Sequence, residues 1–210
     1  MNKSETYAGH SSSGGNQQAE PWPEHFVSLE QLNTHLPNEL QHIVNAAQDE
    51  RPVQKYCEQN PVVLLPFLGG IDRGWVFGRP KLGAEFIPDF MLSFLDSSGY
   101  HWHLIELENP RYRALTQQAA QNAKLTHAVQ QILDWRIWLR RNVQYAQVEL
   151  GYRELDAEFE SSIVIGRRKD MPRSQKDRYR ELSRDRIKVM TYDRFFERIA
   201  SVVTLIGSKR

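Results

Sequence analysis

The chain has a single cysteine, Cys57, so it cannot close an internal disulfide, and a four-cysteine zinc site is excluded as well. Its histidines lack the spacing of a zinc hydrolase. No glycine loop carries the lysine of a phosphate cradle, and Ser161-Ser162 has no nucleophile-elbow context. No apolar run approaches a membrane span, the polar N-terminus has no signal-peptide core, and no internal repeat is evident. The formal net charge is only +1. The net charge does not mark the chain as an obvious polyanion binder, and local charge asymmetry matters more for such a role. With one unpaired cysteine and no export signal, the expectation is a soluble, cytoplasmic protein without a membrane partner.

What remains is 210 residues, 40% of them hydrophobic, which suits one globular domain with a real core. Residues 1–20, rich in Ser, Gly, Asn and Gln, read as a disordered tail. Residues 21–60 read as a helical segment leading into the core. Leu36, Leu40, Ile43, Val44 and Ala47 recur at helical spacing, and a second helix is expected over 52–59, stopped by Asn60-Pro61. The main domain is placed at 61–210. The apolar run 62–68 reads as a buried strand or an extended packing segment. Helical stripes are expected over 124–140 and 192–205, and strands in 155–166 and 187–190.

The informative stretch is Leu82–Pro110. Two alternating apolar runs flank Asp96-Ser97-Ser98-Gly99, a hairpin signal. Trp102, Leu104, Glu106 and Glu108 share one strand face, and His103, Ile105 and Leu107 share the other. If the runs pair, Asp89 faces Glu106. Pro88 suggests an edge or a bulge that aims Asp89. Converging, half-buried carboxylates repel one another, so something cationic should offset them. A hard divalent metal with oxygen ligands is the natural candidate. The plainer reading pairs the acids with arginines such as Arg111 or Arg113. Further along, Gln131 is polar beside an apolar stripe, four residues before Trp135. A basic run from Arg167 through Arg168, Lys169, Arg173, Lys176 and Arg178 to Arg186 is either a solvated surface or a set of phosphate contacts.

Together, ERPVQKYCEQNP, the PDF segment, LIELENP, HAVQQILDW, IVIGRR and VMTYDRFFERI resemble the nuclease domain of the Shedu anti-phage defence proteins. That family is a branch of the PD-(D/E)xK restriction-endonuclease-like superfamily. The resemblance implies an α/β fold: a restriction-endonuclease-like core with a central mixed β-sheet of four or five strands flanked by helices, in a nuclease-like domain at 61–210. It implies that Asp89 is the PD aspartate and that Glu106-Leu107-Glu108 is the (D/E)xK element, with glutamate in the lysine's place. It implies catalytic roles for Asp89, Glu106, Glu108 and Gln131. The metal ligands would be Asp89, Glu106, the Leu107 carbonyl and Glu108, with Glu50 as a further acid from the first helix. The implied cofactor is Mg²⁺, with Mn²⁺ able to substitute.

The resulting expectation is a metal-dependent DNA endonuclease that hydrolyses phosphodiester bonds in anti-phage defence. Its partners would be double-stranded DNA, contacted by the 167–186 segment, further copies of itself as a dimer or tetramer, and an activating protein. The alternative is a catalytically inactive nucleic-acid-binding or regulatory module with the same fold. A third reading is an interaction protein whose acids are paired to arginines. The sequence leaves little room for the extra sensing domains that such proteins usually carry.

Overall fold

The computed structural model describes residues 21–207; the tail expected at 1–20 lies outside them. The hairpin is where the sequence places it. β3 (Phe90–Asp96) and β4 (Gly99–Leu107) pair antiparallel from Asp96↔Gly99 to Phe90↔Ile105. The turn needs its glycine. Gly99 has φ +119°, and a side chain there would run into the Glu154 carboxylate, which accepts the Tyr100 N–H at 2.8 Å.

The sheet has six strands, not the four or five expected, in the order β1-β2-β3-β4-β5-β6. The additional edge strand is β1 (Phe26–Ser28), inside the segment expected to be purely helical. It is three residues long, pairs antiparallel with β2 (Arg73–Gly78), and buries only Val27. β2 pairs antiparallel with β3, while β4, β5 (Glu160–Val164) and β6 (Ile187–Met190) run parallel, so the sheet is mixed. The parallel step from β4 to β5 requires a crossover. The long helix α3 (Ala123–Val148) supplies it, capped by the Asn122 side chain and broken at Asn142, where the backbone leaves helical geometry.

Helices cover both faces. Apart from the short α4 (Lys176–Arg180), α1 (Leu36–Ala46), α2 (Arg51–Gln59) and α5 (Tyr192–Gly207) close one core with Phe90, Leu92, Ile105 and Leu107. α3 closes the other with Met91, Trp102, Leu104 and Ile163. Period-2 alternation on β3 and β4 therefore feeds two cores. The run 61–68 is neither strand nor extended segment but a 3₁₀ helix, Pro61–Leu68, buried almost throughout. Prolines 61 and 66 supply no N–H for a ladder, and that favours a short helix over a strand.

Candidate active site

The site forms where the β3–β4 ladder stops. Continuing the register past Phe90↔Ile105 sets Asp89 opposite Glu106 and Pro88 opposite Leu107. Pro88 precedes the strand and makes no bulge within it. The Leu107 N–H is taken instead by the Asp89 side chain, whose Oδ2 accepts it at 2.8 Å. On its other side Asp89 still belongs to the sheet, because its carbonyl accepts the Arg79 N–H at 2.8 Å. Glu108 holds to β5 by donating its N–H to Val164 O at 2.9 Å. The chain just beyond is tied down from several directions. Asn109 Nδ2 donates to Gln48 O and Arg111 Nε to Ala47 O, both at 2.8 Å. The Tyr192 hydroxyl, at the start of α5, donates to Glu108 O at 2.8 Å. These ties bring the end of β4 to the α1–α2 junction, where Glu50 precedes the first turn of α2.

The electrostatics of the group are those of acids without ion-pair partners, Glu106 buried and Asp89 and Glu108 half-buried. Burial pushes the Asp89 carboxyl up to about 6, and the charge of Glu50 adds to the rise; the Leu107 N–H and the charge of Arg79 oppose it. Glu106 is pushed well above the carboxylate range, first by burial and then by the charges of Asp89 and Glu108, with the Gln131 amide pulling the other way. Glu108 rises to about 7 through burial and the charges of Glu50 and Asp89, against the pull of Lys124. Among the described residues none of these carboxylates enters an ion pair, and Arg111 and Arg113 pair with none of them. The arginine-paired reading loses its premise.

Glu106 Oε2 is buried with no hydrogen-bond partner. A carboxylate oxygen enclosed in that way is costly unless something cationic or protonated meets it. Among the described residues, no three His, Cys, Asp or Glu side chains are gathered as a metal cage. The acids share a field rather than a cage, with one oxygen of Asp89 turned to the backbone. The donor set consists of hard carboxylate oxygens, with one buried oxygen unsatisfied, and its chemistry fits a hard divalent cation.

The basic segment divides. Arg167 is 10% exposed and binds Asp193 through Nε and Nη2, donates to Asn45, and lies 5.6 Å from the centre of the Phe196 ring. Arg168 is held by Glu197 in a two-pronged pair. Both arginines fasten α5 to the end of β5. Lys169, Arg173, Lys176 and Arg178 form no ion pair among the described residues. Three residues beside the acids were not singled out by sequence: Arg79, Lys124 and Tyr192. Arg79 carried no signal beyond following Gly78. Lys124 and Tyr192 carry the signal of a helix start, and Tyr192 also belongs to the VMTYDRFFERI similarity, but neither signal points to the acids.

No helix among the described residues is long and apolar enough to cross a membrane, and no curated protein matches the chain in sequence. The family model described as Shedu protein SduA, C-terminal, matches residues 47–196. That span runs from the end of α1 into α5 and takes in Glu50, Asp89, Glu106, Glu108 and Gln131. The chain belongs to the Shedu anti-phage defence family, and this membership supports a nuclease role in defence in general.

Proposed function

We propose that the chain is a metal-dependent DNA endonuclease acting at the end of β4. The observation that carries the reading is the buried, unpaired acid group, above all the orphaned Glu106 Oε2. Asp89 and Glu106 would hold Mg²⁺ or Mn²⁺, with the Leu107 carbonyl and Glu108 as further oxygen donors and Glu50 as the outer acid. When bound, the ion supplies charge neutralisation at the scissile phosphate and a lowered pKa for the attacking water. The rest falls to the chain's own groups. Glu108, the acid that stands in the lysine's place, would accept the proton of the attacking water. Gln131, beside the Glu106 carboxylate, orients that group and the water or phosphate next to it. Lys169, Arg173, Lys176 and Arg178, which form no ion pair among the described residues, would meet the backbone of double-stranded DNA.

Several apolar side chains of α3 are exposed, among them Leu133, Ile137, Tyr145 and Val148. They support self-association into a dimer or tetramer, and activation by a protein partner belongs to the same proposal. The decisive test is conversion of supercoiled plasmid with Mg²⁺ or Mn²⁺, at high protein, with folding verified separately. Nicking or cutting that stops with chelator is the expected result. Salt-sensitive DNA binding without cleavage would instead identify a regulatory module of the same fold, in which glutamate at position 108 has replaced the superfamily's lysine.

A further inference from the structure

The DNA backbone is a polyanion, and the acid group carries the same sign of charge. A divalent ion offsets part of that repulsion, and the rest must come from cations that folding has not already neutralised. Two such side chains stand beside the acids, each next to a different member: Arg79 is joined to Asp89 O through its own N–H, and the Lys124 ammonium stands by the ring of Tyr112, whose backbone N–H donates to Asn109 O, one residue past Glu108. Arg79 lowers the Asp89 carboxyl and Lys124 lowers that of Glu108. Both are exposed, and neither side chain enters an ion pair or a hydrogen bond among the described residues. They are launched from fixed backbone. Arg79 follows β2, and its N–H is locked to Asp89 O. Lys124 is in the first turn of α3, where its N–H is capped by Asn122 Oδ1 at 2.9 Å, and its ammonium sits 5.8 Å from the centre of the Tyr112 ring.

Arg79 carries a second signal. Its φ is +50°, a left-handed conformation that a side chain such as arginine adopts only at a cost, and that glycine or asparagine accepts more readily. Holding arginine there, with its backbone bonded to the candidate metal-binding aspartate, is the kind of local strain that clusters at functional sites. Arg167 is the contrast. It is also near the end of a strand, but it is enclosed by Asp193, Asn45 and Phe196.

We propose that Arg79 and Lys124 form a two-point phosphate grip on DNA, Arg79 on the Asp89 side of the site and Lys124 on the Glu108 side. The grip rests on the reading of the acid group as the place where a DNA phosphate is brought. It assigns the main backbone contacts to the rim of the acid group rather than to Arg167 and Arg168.

The test is binding of a labelled DNA duplex to the full chain, in chelator and again in Ca²⁺, across a series of salt concentrations. The variants are Arg79→Asn, Lys124→Gln, the double variant, and Arg168→Gln for comparison. Removing either cation should reduce the slope of log affinity against log salt by about 1, and removing both should reduce it by about 2. Arg168→Gln should leave the slope unchanged. Arg79→Asn should melt no lower than wild type, because asparagine tolerates the left-handed backbone, so a weakened grip is not mistaken for unfolding. Lys124→Arg should keep the slope. Wild-type slopes in both single variants would overturn the grip, as would a wild-type chain that binds no duplex in either condition. A parallel Mg²⁺ cleavage assay separates the two proposals. Binding with the expected slopes but no cutting keeps the grip and removes the nuclease. Cutting with unchanged slopes does the reverse.

Discussion

Two sets of carboxylates lie within the same fold and face opposite ways electrostatically. Beside the end of β4, Asp89, Glu106 and Glu108 are partly or wholly buried and none has an ion-pair partner among the described residues, and their pKa values rise. On α5, burial also pushes the Asp193 carboxyl up, but the Arg167 side chain and the Arg168 N–H outweigh it and the net shift is down; Arg168 lowers Glu197 likewise. The residue types are the same, and the difference lies in whether folding supplied the partner. Paired acids hold the structure together. Unpaired acids are a cost to the fold that a ligand can relieve, so they mark where chemistry is to be sought.

The comparison breaks most visibly through cleavage. Asp89→Asn and Glu108→Gln should each lower plasmid cleavage by about 10²-fold or more while leaving DNA affinity largely intact. Glu108→Lys should not restore it, because the ammonium would oppose an ion whose side-chain ligands are all acids. Wild-type cleavage by Glu108→Gln would mark that residue as a bystander. On the other side, Asp193→Ala strands the enclosed guanidinium of Arg167. It should cost on the order of 2–3 kcal/mol in denaturant unfolding, less than for a fully buried pair because Asp193 is 24% exposed. Cleavage per folded molecule should not change. A variant as stable as wild type would contradict the assigned role.

The pH dependence sharpens the contrast further. A carboxyl whose pKa is raised by folding stabilises the folded state while protonated, and that contribution is lost as pH rises through the folded value. For Asp89 and Glu108 the window runs from the ordinary carboxylate range up to about 6 and about 7. The metal-free protein should therefore melt lower at pH 8 than at pH 5, by on the order of 2–3 kcal/mol of stability. Mg²⁺ should raise the melting temperature more at pH 8 than at pH 5. For Asp193 and Glu197 the sign is reversed: their stabilising contribution is present above the ordinary carboxylate range and falls away on acidification. Melting curves across this range, with and without Mg²⁺, separate the two. The smallest effect is expected from Arg168→Gln. It breaks a half-exposed pair and should cost only about 0.2–1 kcal/mol in denaturant unfolding.

The hairpin and the opposition of Asp89 to Glu106 could be read from sequence, because a two-residue turn fixes register and period 2 then assigns every face. The strand at 26–28 could not. Three residues carry too little pattern, and its stability comes from β2, far along the chain, in the register Phe26↔Trp75, Val27↔Gly74, Ser28↔Arg73. The run 62–68 was apolar without a period, and such runs do not distinguish strand from buried helix. The basic segment misled for a related reason. A run of arginines looks available until its partners are known, and Asp193 is 26 residues from Arg167. Arg79 and Lys124 leave no such pattern in the sequence because each is a single cation, joined to the acids only through the third dimension.

The Leu107 N–H donates to Asp89 Oδ2. The backbone already claims one of the two carboxylate oxygens, so a cation would meet Asp89 through the other. In Asp89→Asn the Leu107 N–H needs an acceptor, and only the amide carbonyl can provide one. The sheet therefore sets the orientation of the asparagine. Its oxygen faces the strand and its NH₂ points to the place the ion would occupy. A ligand atom becomes a hydrogen-bond donor of similar size, with the ladder's last bond intact, and the substitution acts as a lock fitted into the site by the fold itself.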